Sequence, residues 1–86
     1  MRLEAKVLGI RYLDFKDDKG VPIKGYQTFV SAETDQPGWT MNVEVLKTWT
    51  AADSQMAATV ASLIPGDVVY IEFNRRGKPV ITGIAC

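Results

Sequence analysis

The sequence predicts a mostly β domain of five strands with one helix between the third and the fourth. Three observations carry that prediction. Apolar and polar residues alternate with a period of two in the first half, one window of helical periodicity follows, and a β-rich hairpin with a glycine turn ends the chain. At 86 residues this is a single domain, residues 1–86, with a small core, so self-association as a homodimer is expected to add buried area.

In the first strand Leu3, Ala5 and Val7 alternate with Arg2, Glu4 and Lys6, the pattern of a strand with one buried face. The alternation breaks at Leu8-Gly9-Ile10, so a bulge or bend at Gly9 is expected to let one long strand serve two sides of a curled sheet. Lys16 to Gly20 is a charged hairpin loop. The second strand runs from Ile23 to Glu33, with Gly25 as a second candidate bulge, and Asp35-Gln-Pro-Gly38 is the next turn. The third strand covers Thr40 to Lys47, with Met41, Val43 and Val45 on one side and Asn42 and Glu44 on the other.

The helix is expected over residues 51–63. Thr50 is its candidate N-cap with Asp53 completing a capping box, and Met56, Val60 and Leu63 form its apolar face. Pro65-Gly66 stops it. The last two strands are Asp67 to Phe73 and Pro79 to Ile84, joined by Asn74-Arg-Arg-Gly-Lys78. Three antiparallel strands, a helix and two more strands is the order of the five-stranded Greek-key barrel known as the OB-fold. An SH3-like barrel or an open α+β sheet is the alternative.

The composition excludes most chemistry. The chain has no His and one Cys, Cys86, which leaves no Ser-His or Cys-His pair, no disulfide framework and no usual zinc ligand set. Asp14, Asp17 and Asp18 stand among lysines in a solvated loop, and no glycine-rich phosphate loop is present. A non-catalytic protein without cofactor or metal is therefore expected. Neither a long apolar run nor a signal peptide is present, which points to the cytoplasm and away from a membrane. Ten basic and ten acidic residues balance, so any nucleic-acid site must be a local patch.

Such patches exist. Single strands bind where bases stack on rings and cations follow the phosphates. The first hairpin interleaves Arg11, Tyr12, Lys16, Lys19, Lys24 and Tyr26; Trp39, Lys47 and Trp49 flank the third strand; the last hairpin carries Tyr70, Arg75, Arg76 and Lys78. Phe29 and Phe73 read as core, while Tyr26 and Tyr70, out of phase with them, are expected on the ligand face. Trp39 follows the Pro37-Gly38 turn as a stacking ring or a lid, and Trp49 reads as a staple between helix and barrel.

The Lys-Gly-Tyr-Gln-Thr-Phe-Val segment at 24 to 30 and the Ile-Glu-Phe-Asn-Arg-Arg-Gly-Lys-Pro hairpin resemble the small single-stranded DNA-binding proteins of phages and conjugative elements, of which the filamentous-phage protein is the familiar type. The resemblance implies a dimer that coats single-stranded DNA with little sequence preference during phage or mobile-element DNA replication, with Tyr26 and Tyr70 stacking on bases. Members of that family tend to be basic and lack so clear a helix, whereas this chain is neutral. RNA is the alternative ligand, and a small protein-interaction module the alternative function.

Overall fold

The computed structural model describes residues 3–85, the side chain of Thr40 excepted; Arg2 and Cys86 lie outside the described residues. The elements are β1 (Leu3–Lys16), β2 (Pro22–Glu33), a short 3-10 turn (Thr40–Asn42), β3 (Val43–Ala51), α1 (Ala57–Ala61), β4 (Val68–Phe73) and β5 (Pro79–Ala85). All strands pair antiparallel in one sheet of order β3-β2-β1-β4-β5. β3 and β5 lie against each other, but no hydrogen-bonded ladder joins them among the described residues, so the sheet curls without closing.

β1 turns the corner as its glycine predicts. Leu3 to Lys6 pair with β4, Lys6 to Lys16 pair with β2, and the register shifts between Val7 and Gly9. That one-residue slip changes which side chains face inward and lets a single strand belong to both halves of the sheet. Ala5 and Val7 are buried, as the alternation requires. Gly25 makes no bulge: it stands in regular register between Leu13 and Ala51.

The hairpin loop after β1 closes through Asp17. Its carboxylate accepts the N–H groups of Lys19 and Val21, and its carbonyl accepts that of Gly20. The other predicted hairpin, β4 to β5, forms as expected.

The helix and the third strand, expected from Thr40 but running Val43–Ala51, also depart from expectation, and strand pairing accounts for the helix. The helix does not span 51–63. Thr48, Trp49, Thr50 and Ala51 continue β3, paired with Thr28, Gln27, Tyr26 and Gly25, and Ala52 N–H still donates to the Lys24 carbonyl. Thr50 is buried in the sheet and caps nothing, and α1 keeps only five residues, with Met56 as an N-cap that makes no side-chain bond. β-branched threonines suit a strand, and a ready ladder on β2 outweighs weak helix propensity. The predicted apolar face survives the shortening: Val60 and Leu63 are buried and Met56 packs against the core they belong to.

On β3 the side that carries Val43 and Val45 is the outward one. Residues opposite one another in a ladder share a side of the sheet. Tyr26, Thr28, Val30 and Ala32 of β2 face inward with Thr50, Thr48, Leu46 and Glu44 of β3, so Val43, Val45, Lys47 and Trp49 are turned outward. Met41, at 90% exposure, is likewise outside the core. It and Asn42 adopt left-handed backbone angles, with φ of 63° and 57°.

The core consists of Ala5, Val7, Val30, Ala32, Val60, Leu63, Val69, Ile71 and Ile81. It holds no fully buried aromatic ring among the described residues; Phe73, read as core, is half exposed at the end of β4. Thr28 is fully buried, and its Oγ1 has no hydrogen-bond partner among the described residues. Among those residues no helix is long and apolar enough to cross a membrane.

Candidate nucleic-acid interface

The outward face of β1, β2 and β3 is organised in rows. Arg11, Gln27 and Trp49 lie opposite one another across the three strands, and the next row places Phe29 between Gly9 and Lys47. Successive rows on one face are about 7 Å apart, two residues of antiparallel strand. Arg11 Nε donates to Gln27 Oε1 at 2.8 Å, which orients the guanidinium, and its carbon stands 6.0 Å from the centre of the Phe29 ring. That separation lies at the outer edge of a cation–π contact.

The turn between β4 and β5 supplies the opposite wall. Asn74 Oδ1 accepts the N–H groups of Arg76 and Lys78, at 2.9 and 3.0 Å, and the Asn74 N–H donates to the Lys78 carbonyl. Gly77 takes the left-handed angle, φ 73°, that this turn needs. A side-chain acceptor satisfying two turn amides fixes the loop, so Arg75, Arg76 and Lys78 project from a defined base.

Between these walls, along the seam of β3 and β5, runs a groove of about 270 Å³ bordered by Lys47, Trp49, Arg76, Lys78, Gln27 and Pro79. Its lining contains three cations and no carboxylate. A neutral chain therefore carries a locally positive cleft with an indole in its wall, 38% of the Trp49 surface being exposed. Trp49 also borders a second hollow, of about 360 Å³, together with Ile23, Lys24, Ala51 and Asp53. Cations and an exposed ring in one groove can hold phosphates and stack one base between them.

The predicted residues divide around this groove. Arg76 and Lys78 border it, Arg11 stands in the adjoining row, and Lys24 borders the second hollow. Arg75 is exposed in the turn but borders neither. Tyr26 is not on this face: it packs against the core, its ring 5.2 Å from that of Tyr12 across the ladder. The Gly9 register shift, together with the burial of Thr28 and Val30, puts the even-numbered side of β2 inward. Phe29, read as core, is consequently outward and half buried. Tyr70 is outward too, but between Glu4 of β1 and Gly83 of β5, and it borders neither hollow. Lys16 ends the first hairpin opposite Pro22, and Trp39 is exposed in the loop before β3; neither reaches the groove.

Sequence reasoning does not single out Gln27, which borders the groove, or the outward position of Phe29; it names Lys47 and Trp49 among the residues flanking the third strand but reads Trp49 chiefly as a staple. A signal for Trp49 is nevertheless present: it has the parity of Lys47, which is seldom buried, so the cation marks the outward phase of the strand. Comparison with family models, with curated proteins and with solved structures finds no match to this chain.

Proposed function

We propose that this chain binds single-stranded DNA without catalysis and with little sequence preference, as an OB-type domain whose ligand lies along the β3–β5 seam. The observation that carries the reading is the groove in which Lys47, Arg76 and Lys78 surround Trp49 without a carboxylate among the lining residues. Two further features support it. The strand order β3-β2-β1-β4-β5, with β3 against β5, is that of a five-stranded barrel opened along one seam. In such barrels the ligand lies on the face of the second and third strands beside the loop between the fourth and fifth. Phage or mobile-element replication is the setting that the resemblance suggests.

The test is titration with oligo-dT at low salt, following tryptophan emission. Saturable quenching that fades as salt rises is expected, because binding releases counterions from the phosphates. No response at micromolar protein overturns the reading. A protein-interaction module is the second reading, supported by Trp39, Met41, Val43 and Val45, all exposed in and after the loop that enters β3. That interface would show little salt dependence.

A further inference from the structure

Gly25 sits where glycine is ordinarily unfavourable, inside a strand paired on both sides. Neither a bulge nor a left-handed backbone angle accounts for it, since its register is regular and its φ lies outside the left-handed region. Space does. A Cβ at this position would stand 2.5 Å from the Thr50 carbonyl oxygen and 2.6 and 3.0 Å from two carbons of the six-membered ring of Trp49. By contrast, a Cβ on Gly9 would meet nothing within 4 Å.

We propose that Gly25 is the seat of Trp49 and acts as a positioning residue for nucleic-acid stacking, a role that rests on the single-strand-binding reading. Trp49 stands in the row of Gln27, and its ring reaches diagonally over the neighbouring row, where only a glycine leaves room. Seated there, the indole borders both the cationic groove and the second hollow. A ring already held in place loses little side-chain entropy when a base stacks on it. A methyl group at residue 25 lifts the ring and returns that cost to binding.

The experiment uses Trp39→Phe as background, leaving Trp49 as the single indole. Gly25→Ala is expected to make Trp49 more accessible to acrylamide and to weaken oligo-dT binding several-fold, up to about tenfold, the scale of ordering one side chain on binding. With Trp49→Ala already present, where no indole remains and binding is read from the anisotropy of a dye-labelled oligo-dT, the same Gly25→Ala change is expected to shift affinity less than twofold. Equal losses in both backgrounds overturn the proposal, because Gly25 would then serve only the backbone at Thr50. If Gly25→Ala does not fold, time-resolved anisotropy of Trp49 with Gly25 intact decides: a seated ring shows no fast local depolarisation, and a freely moving one refutes the seat. Absence of oligo-dT binding by every variant, with the ring still immobile, sinks the binding role together with the single-strand reading while the seat itself stands.

Discussion

Salt dependence offers the sharpest quantitative check on the groove. Four cations face or adjoin it, Arg11, Lys47, Arg76 and Lys78. On a single strand each neutralised phosphate contributes about −0.7 to the slope of log affinity against log salt, so four contacts give a slope of about −2.8. Raising salt from about 50 to about 200 mM then weakens binding about 50-fold. Lys47→Gln combined with Arg76→Gln leaves two contacts, a slope of about −1.4 and a loss of about sevenfold over the same range. Lys47 and Arg76 are both exposed, so the double variant should keep its fold, which circular dichroism checks. The assay is the oligo-dT titration repeated at several salt concentrations. A slope left unchanged by the double substitution would refute this placement of the phosphates; a wild-type slope near zero would remove the electrostatic reading altogether.

Three other outcomes follow from particular residues. Trp49→Ala should weaken oligo-dT binding by about 1–3 kcal/mol, at least several-fold, whereas Tyr70→Phe, outside the groove, should leave affinity within about twofold; parallel binding isotherms compare them. Thr28→Val replaces a fully buried, unpartnered hydroxyl by a methyl and should stabilise the fold by about 1 kcal/mol, seen as a Tm rise of roughly 4–8 °C in a thermal melt. Gly77→Ala forces a side chain into the left-handed region of the β4–β5 turn and should cost about 1 kcal/mol, lowering Tm by a similar amount. It should also loosen the base from which Arg76 and Lys78 project, so oligo-dT affinity should fall with it.

Local chemistry makes several elements legible from the residues alone. The Asp17 loop and the Asn74–Lys78 turn can be read because their residues supply the turn bonds themselves. Gly9 marks the corner of β1 because the alternation breaks there. The α1 face of Met56, Val60 and Leu63 is readable from spacing, though its start is not: Thr50 has the chemistry of a cap and the burial of a strand residue, and only the waiting edge of β2 decides between them. For the site, the basic last hairpin is evident in the sequence, but the aromatic partner is not, since local pattern favours Tyr26 and Tyr70 over Trp49 and Phe29.

By itself the sequence determined the mostly β composition, the order of elements, the turns, and the exclusion of histidine-based chemistry, since each depends on residues close together in the chain or on simple counting. The tertiary structure alone decided which face of each strand is buried. Strand parity is relative: a one-residue slip at Gly9 and the pairing of Thr28 with Thr48 set the phase for β2 and β3 together, and side chains with identical local patterns were sent to opposite sides. The meeting of Trp49 with Arg76 and Lys78 was decided in the same way. More than 25 residues separate them along the chain, and they come together only because the sheet curls until β3 lies against β5.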